Sequence, residues 1–476
     1  MSQLSQELIA ILNSYSHNQS QTSLTTLIRP ARLAVRDDLH FKSSLSAEPA
    51  FWTAFGSVWS DHARLIADGD ITVLEPIATL AYFTASLASG NPVGQSNAME
   101  FVEPHLRSVL VTTSSYFNLE DDSYSTTTRA CCQALANLVT NNDAVAGAYL
   151  PKCLSWGTGQ DIVSRLLDSK DSSILLAVLV FLLNSIFGSP ERSLLLAESP
   201  SGSKLVDRVL SHAASRFDGE TKEAFIEDEF EDDVFGVTYA IIRQLIIQGA
   251  FPAAFAAQAA GGGFEIGNSQ IMLLKFLDGY LHTLTTDSSP SSSISSFLLS
   301  TLVTLSKSVQ IVGKAMDERD AATCSAIVLV LHCLSSIGLA SDVGRAQILD
   351  CTEATVGLLA WSDQINKEQR SSNEAATWVE PEALGQLKRS CVRLLGVVCY
   401  EQQVAQNRIR ECGGLTLLLG MCQIDDTNLT LREHALFAIR NILHNNAENQ
   451  AIVSEMKAQY LVGPQGQLQD LPPALR

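Results

Sequence analysis

Apolar residues recur at intervals of three and four along almost the whole chain, and the strict alternation typical of strands is hard to find. One apolar stripe contains Leu384, Leu387, Cys391, Leu394, Leu395 and Val398. Another contains Ala435, Ile439, Ile442 and Leu443. Stripes this broad indicate helices that are buried around much of their circumference. The pattern therefore predicts an all-α protein.

Several segments are similar enough to be copies of one repeat. Residues 129–142 align with residues 433–446 without a gap, and both segments end in Asn-Asn. Further copies fit at residues 388–402 and 174–187. The first two copies are 304 residues apart (433 − 129), about seven units of the ~40–47 residues typical of armadillo or HEAT repeats. We therefore predict an armadillo/HEAT-like α-solenoid, a right-handed superhelix of stacked helical repeats, with an irregular middle.

The last repeat shows its internal order most clearly. A helix over Gln406–Leu415 is ended by Gly-Gly, and Thr416–Cys422 forms a second helix. A polar turn at Gln423–Asn428 precedes a long third helix that begins at about Leu431. Three helices in this order are the arrangement of an armadillo repeat.

Turn-forming residues divide the chain into four regions. The Ser-rich run at Asp287–Ser296 and a polar stretch at Ser362–Thr377 are predicted linkers, and three prolines follow Gly463. We expect N-terminal armadillo-like repeats over 1–286, a helical segment with flexible linkers over 287–380, C-terminal repeats over 381–462 and a disordered tail over 463–476.

Composition and charge narrow the class of protein. The chain has 476 residues, is 46% hydrophobic and only 17% charged, and has a mean hydropathy of +0.13. These values exclude a wholly disordered chain. The 32 basic and 51 acidic residues give a net charge of −19, which argues against binding to nucleic acid or to an anionic membrane.

The sequence also favours one compartment. The N-terminus has no basic region and carries Glu7 within its apolar stretch, so it does not resemble a secretory signal. The longest uninterrupted apolar run, Ile174–Leu183, is far shorter than the ~20 residues of a membrane span. Cysteines placed in helical apolar patterns fit reduced, buried thiols. We expect a cytoplasmic protein without membrane insertion.

Three motifs stand out in the C-terminal part, namely Leu394-Leu-Gly-Val-Val-Cys-Tyr400, Gln406-Asn-Arg-Ile-Arg-Glu-Cys-Gly-Gly-Leu415, and Leu431–Leu443 followed by Asn446-Ala-Glu-Asn-Gln450. Together they resemble the ataxin-10 family of armadillo-type proteins. Residues 129–142 are similar to the N-terminal repeat signature of the same family. The resemblance covers about a fifth of the chain, near both ends, and we extend it over the whole length.

The resemblance implies a non-enzymatic cytoplasmic protein that is linked to regulation of cytokinesis and cell division. It also implies homo-association through the C-terminal repeats. The family's turn before the last helix is replaced here by Asp426-Thr-Asn-Leu-Thr430, so a partner contact made through that turn is not carried over. Some fungal relatives carry a copper-transport label. This sequence has no C-x-x-C, Met-rich stretch or His cluster such as a copper carrier would need.

No residue pattern indicates catalysis or a cofactor. G-x-S-x-G, H-E-x-x-H, Walker and EF-hand motifs are absent. Cys131 and Cys132 are neighbours on a helix and point ~100° apart, so core packing is favoured over metal binding. We expect no cofactor, no metal and no small-molecule substrate, and we expect proteins as partners.

The sequence singles out two candidate protein-binding regions. The first is an acidic run with one aromatic residue, consisting of Glu227, Asp228, Glu229, Phe230, Glu231, Asp232 and Asp233. It is either a solvated segment that starts a helix near Val234, where its charge suits the N-terminus, or a patch for a basic partner anchored by Phe230.

The second region lies on the third helices of two repeats. Asn137 and Asn441 occupy the layer that lines the concave face in armadillo proteins, where a planar amide can bind the backbone of an extended peptide. Alternatively, each asparagine caps or bridges adjacent repeats. Arg440 points elsewhere around its helix and is a candidate interface residue.

We therefore predict a scaffold or adaptor that binds proteins through its groove and self-associates through its C-terminal repeats. The main alternative is an armadillo-type regulator or nucleotide-exchange factor of a GTPase, which would accelerate nucleotide release from its partner. An enzyme is the third alternative, but no nucleophile, base and oxyanion site converge in the sequence.

Overall fold

The protein is helical almost throughout in a computed structural model, and it divides into two compact units, residues 1–258 and 259–476. The predicted all-α class is confirmed, apart from two short strands near the C-terminus. The structure describes residues 3–18, 21–156, 161–217, 229–259, 266–284, 292–311, 318–370, 381–423, 428, 430–456, 460–462 and 468–470.

The described residues of the first unit form a series of α-helices and one 3-10 helix at Ile71–Val73. The α-helices are α1 (Gln3–Asn18), α2 (Gln21–Asp37), α3 (Leu39–Ser46), α4 (Pro49–Ala67), α5 (Leu74–Ala88), α6 (Pro92–Phe101), α7 (Glu103–Thr113), α8 (Tyr116–Leu119), α9 (Asp122–Val139), α10 (Asp143–Leu154), α11 (Ile162–Leu166), α12 (Ser172–Ile186), α13 (Pro190–Glu198), α14 (Pro200–Phe217), α15 (Glu229–Ile247) and α16 (Phe251–Ala257).

The second unit continues with α-helices and a 3-10 helix at Leu349–Cys351. Its α-helices are α17 (Asn268–His282), α18 (Ser292–Ile311), α19 (Glu318–Ala340), α20 (Asp342–Gln347), α21 (Thr352–Arg370), α22 (Glu382–Val398), α23 (Gln403–Glu411), α24 (Gly414–Gly420), α25 (Leu431–Leu443) and α26 (Ala447–Glu455). Strands β1 (Tyr460–Val462) and β2 (Leu468–Asp470) pair antiparallel, with Leu461 opposite Gln469.

Long helices pack side by side in sequence order within each unit. In the first unit α2, α5, α9, α12 and α15 are successive neighbours, and in the second unit α17, α19, α22 and α25 are. We call these helices the long-helix layer. Most of the remaining helices are shorter and connect or cover these long helices, as expected for stacked repeats that bury one continuous core.

The Asn-Asn pairs found in the sequence form the turn that follows a long helix. Asn141 and Asn445 both have φ = 53°, in the left-handed region. Asn142 and Asn446 then cap the next helix, each accepting a hydrogen bond from a backbone N–H three residues ahead. Glu401 takes the same conformation, with φ = 55°, after α22. The aligned repeats therefore share backbone geometry as well as sequence.

An aromatic cluster forms part of the core of the first unit. The rings of Phe51 and Phe55 stack at 5.3 Å between centroids, and Phe83 meets Phe55 edge-on at 5.5 Å. All three are completely buried, and so is the adjacent Trp52. Burial of each ring contributes roughly 1.5–3 kcal/mol, so the cluster fixes α4 against α5.

The last repeat matches the predicted order of elements. Helix α23 ends at Glu411, Gly413 takes φ = 78°, α24 begins at Gly414 and α25 begins at Leu431. The positive φ explains the glycine, because an L side chain there is strained.

Other expectations about chain organisation differ from the structure. The polar stretch predicted as a linker from Ser362 is helical as far as Arg370, where α21 ends. Within the predicted disordered tail, Leu468–Asp470 forms strand β2. Charged and amide side chains at 363–370 suggested a loop, but one buried face of α21 is sufficient to keep the helix going.

Two helices in the described part of the chain are long and apolar enough to cross a membrane, judged by length and composition. They cover Ile71–Ala88 and Asp320–Ala340, and a helix pair bent by 112°, Asp233–Ile247 with Phe251–Ala257, would count as a third if it were one span. The sequence did not reveal these helices as possible spans, because polar residues interrupt their apolar runs. Here 67% and 72% of the two windows are buried inside the protein, by neighbouring helices.

Candidate protein-binding surfaces

Asn137 and Asn441 both lie in the long-helix layer, as predicted, and both bridge adjacent helices. The Nδ2 of Asn137 donates to the carbonyl of Ala85 on α5 at 3.2 Å. The Nδ2 of Asn441 donates to the carbonyl of Gly396 on α22 at 2.8 Å. Asn441 is only 4% exposed, so its amide is committed to helix packing. These contacts correspond to the bridging role that we set against peptide binding.

A glutamine that sequence comparison missed completes the same network in each unit. Gln95 Nε2 donates to the carbonyl of Asn137 at 2.9 Å, and Gln406 Nε2 donates to the carbonyl of Asn441 at 2.9 Å. Both glutamines lie on a short helix next to the turn, and both are buried. Their separation from the capping asparagine is 47 residues in one case and 40 in the other, so an alignment at fixed offset does not find them.

A groove crosses three successive helices of the long-helix layer in the first unit. Its volume is about 570 Å³. It is lined by Tyr82 and Ala85 on α5, by Arg129, Gln133, Ala136 and Asn137 on α9, and by Ser173, Leu176, Ala177 and Val180 on α12. The lining combines small, aliphatic, amide and hydroxyl groups, which suits both the backbone and the side chains of an extended peptide.

The charge of this groove is opposite to that of the whole protein. Arg129 contributes a cation to the lining, and no acidic side chain belongs to it. A second guanidinium, that of Arg32 on α2, lies over the ring of Tyr82 at 5.2 Å. In a chain of net charge −19, this face is therefore a local exception.

Apolar side chains are exposed on the last long helix. Leu436 is 50% exposed and Phe437 is 44% exposed, and Ile452 and Met456 are also exposed on or just after α26. Arg440, the predicted interface residue, is exposed on the same helix, α25. Among the described long helices of this unit, α25 is the last, and the partly exposed ring of Phe437 lies beside Gly396 of α22.

The acidic run lies partly outside the described residues. Glu227 and Asp228 precede the described segment, and α15 begins at Glu229 rather than near Val234. Asp233 is exposed on this helix. The side chains of Glu229, Phe230, Glu231 and Asp232 lie outside the described residues, so both roles of the run remain predictions.

The cysteines and histidines do not assemble a metal site in the part of the chain that the structure describes. All ten cysteines are free, and Cys131 and Cys132 are buried in α9 as predicted. Burial raises the pKa of the Cys132 thiol to about 12, so the thiolate that binds metals is disfavoured. His332 is hydrogen-bonded to Ser390 at 3.1 Å, and desolvation lowers its pKa.

The helix–turn–helix–turn–long-helix order of the last repeat, together with the long-helix layer, defines an armadillo-type α-solenoid. Residues 387–472 match the family model described as "Spinocerebellar ataxia type 10 protein domain". This C-terminal segment is therefore similar to the ataxin-10 family, as its motifs predicted.

Individual relatives agree with the family model over the same short length. Ataxin-10 of Xenopus tropicalis is 39% identical over 74 residues, which are 16% of this chain and 15% of the relative. The ataxin-10 homolog of Kluyveromyces lactis is 41% identical over 76 residues, which are 16% and 14% of the two chains. Among solved structures, that of Uso1-2 aligns over 87% of this chain and 70% of its own, with 11% identity and a TM-score of 0.43.

Proposed function

We propose that this protein is a non-enzymatic scaffold that binds an extended segment of a partner protein across the long-helix layer of its first unit. The observation that carries this proposal is the groove over α5, α9 and α12, where polar groups at Arg129, Gln133 and Ser173 line the same cavity as apolar groups at Leu176 and Val180. A peptide laid across three helices gains backbone hydrogen bonds from the former and side-chain burial from the latter.

A charge placed in the apolar part of the groove tests this proposal. Peptides are first selected on the intact protein from a random library, and their affinity is then measured by calorimetry. We expect Leu176→Asp to weaken the selected peptides by about tenfold or more, because a carboxylate is desolvated when the peptide covers it. Leu194→Asp, on α13 and outside the groove lining, is the matched control. Equal affinity for both variants contradicts the proposal.

We further propose that the exposed apolar side of α25 mediates self-association, as the family resemblance implies. Leu436 and Phe437 supply apolar area that water covers in a single chain. The test is light scattering at several concentrations. Leu436→Glu is expected to reduce a larger species to a monomer, whereas Leu339→Glu, at a similarly exposed leucine on α19, leaves it unchanged. A wild-type protein that stays monomeric overturns this part.

The resemblance to ataxin-10 also supports a cytoplasmic protein that acts in cytokinesis and cell division. A fluorescently tagged chain followed through division, combined with its depletion, tests this role. Accumulation of multinucleate cells that is rescued by the wild-type chain supports it, and normal division without the protein contradicts it.

A further inference from the structure

Basic side chains, two arginines and three histidines, form a row across the long-helix layer of the second unit. They come from helices that pack in succession, namely α17, α19, α22 and α25. We call the row the basic strip, and its members are His282, His332, Arg389, Arg393 and His434.

Hydrogen bonds hold members of the strip against neighbouring helices. His332 on α19 shares a hydrogen bond with the hydroxyl of Ser390 on α22, with 3.1 Å between Nε2 and Oγ. Arg389 donates from Nη1 to the hydroxyl of Thr430, just before α25, at 3.3 Å. Arg393 lies one turn after Arg389, about 6 Å further along α22. Both arginines lie opposite the buried stripe of that helix and are partly exposed.

The two arginines differ from others in the same unit in what they contact. Arg408 pairs with Asp350 at 2.8 Å and Arg410 pairs with Glu448 at 2.6 Å. Within the described residues no carboxylate lies at ion-pair distance from Arg389 or Arg393. In a chain with 51 acidic and 32 basic residues, both arginines thus lack an ion pair, and Asp278 acts on Arg393 only from beyond ion-pair distance.

Two carboxylates lie near members of the strip. Asp278 on α17 is 3.6 Å from His282, and Glu433 is beside His434 on α25. Burial raises the pKa of Asp278, while the nearby charges of His282, His332 and Arg393 act to lower it. Neither carboxylate forms an ion pair with Arg389 or Arg393 among the described residues, so both guanidinium groups keep donors for an acidic ligand.

We propose that the basic strip binds an extended, acidic segment of a partner protein, with its Asp or Glu side chains on Arg389 and Arg393. Neighbouring helices are about 8–10 Å apart, so the four helices span about 30 Å, which is the length of roughly nine extended residues. Guanidinium groups bind carboxylates through two parallel hydrogen bonds, and the partly exposed position of both groups leaves those donors accessible. The inference goes beyond the proposed function, because it concerns another unit and another ligand chemistry.

The test uses a fluorescein-labelled ten-residue peptide that alternates Glu and Ser, with the same peptide carrying Gln in place of Glu as a ligand control. Fluorescence anisotropy with the full chain gives the Kd. We expect only the Glu peptide to bind, and Arg389→Gln combined with Arg393→Gln to raise its Kd about tenfold or more. Arg432→Gln combined with Arg440→Gln removes the same charge from exposed positions on α25 and is expected to change the Kd less than about twofold.

Several outcomes overturn the proposal. If both double variants raise the Kd for the Glu peptide equally, the attraction is non-specific. If the wild-type chain does not bind the Glu peptide, the strip is not a binding site. Arg389→Lys combined with Arg393→Lys keeps the charge without the planar fork, so intermediate binding is expected, and its circular dichroism melt reports whether the fold survives. Leu176→Asp, the groove variant in the first unit, leaves this binding unchanged, so the two proposals fail separately.

Discussion

Gln406 accepts a hydrogen bond at 3.0 Å from the side-chain amide of Asn446, 40 residues further along the chain. Gln95 and Asn142 make the same contact at 2.8 Å across 47 residues. In both units the asparagine caps the helix that follows a long helix, and the glutamine comes from the preceding repeat. One polar pair therefore fixes the distance between consecutive repeats.

Gln406→Ala is expected to destabilise the second unit by about 2–4 kcal/mol. The side chain is 2% exposed, and its Nε2 lies 2.9 Å from the carbonyl of Asn441 and 3.3 Å from that of His444. Removing it leaves both carbonyls without this donor, whereas the Asn446 amide keeps its hydrogen bond to Asn407 at 2.9 Å. Thermal unfolding measures the effect, with Gln450→Ala, an exposed glutamine, as control. A loss no larger than that of the control contradicts the structural role of this network.

Glu103→Ala is expected to lower the free energy of unfolding by about 2–3 kcal/mol. This is less than the loss expected when a fully buried ion pair is broken, because the cationic partners of Glu103 reach solvent. Glu103 is completely buried and contacts Arg107 at 2.9 Å, Lys152 at 3.1 Å and the hydroxyl of Tyr149 at 3.1 Å. Urea denaturation of the first unit's transition measures the change. Glu100→Ala, at an exposed position, is expected to stay within about 0.5 kcal/mol of wild type, and a comparable loss there is the contrary result.

Acidification is expected to destabilise the protein, starting below about pH 6.5, the usual pKa of histidine. Burial lowers the pKa of His62, which lies 3.3 Å from the hydroxyl of Tyr15. As the pH falls, the unfolded chain therefore takes up a proton on this histidine before the folded chain does. The stability that neutral His62 contributes is complete above pH 6.5 and is lost as the pH falls toward the lowered pKa of the folded state. One such group contributes at most about 1.4 kcal/mol per pH unit.

Comparison of melting temperatures at pH 8 and pH 5.5 measures this dependence. His62→Gln keeps a polar group in place but does not titrate, so its melting temperature is expected to fall less between the two pH values than that of wild type. His40→Gln, at an exposed histidine, serves as control. An identical pH dependence in wild type and His62→Gln shows that this histidine does not contribute.

Glu401→Gly is expected to stabilise the second unit by about 0.5–1 kcal/mol, which is the relief of left-handed strain less the extra entropy of glycine when unfolded. The backbone of Glu401 has φ = 55°, a conformation that glycine adopts without cost. Differential scanning calorimetry measures the shift. Glu368→Gly, in helix α21, is expected to lower stability by about 1 kcal/mol. Destabilisation by both changes rules out strain at this turn.

Local signals predicted the repeats well because each signal is contained in a few neighbouring residues. The Gly413-Gly414 pair and the closing Asn-Asn pairs indicate turns wherever they occur, and the structure has turns there. Gln95 and Gln406 were not predicted, since their partners lie 47 and 40 residues away and only folding brings them together. A charged residue on a helix surface does not reveal from sequence whether it binds a partner, so Arg389 and Arg393 could not be told apart from an ordinary solvated face.

Helix α19 depends on residues that are synthesised after it. Its window Asp320–Ala340 is apolar enough for a membrane span and is 72% buried here, partly under α22, whose Ser390 lies 58 residues beyond His332. A ribosome that has synthesised α19 but not α22 therefore carries an apolar segment that its partner helix does not yet bury. We expect chaperones to bind the nascent chain at this stage, and any frameshift or nonsense mutation between the two helices to yield an aggregating product rather than a shorter working one.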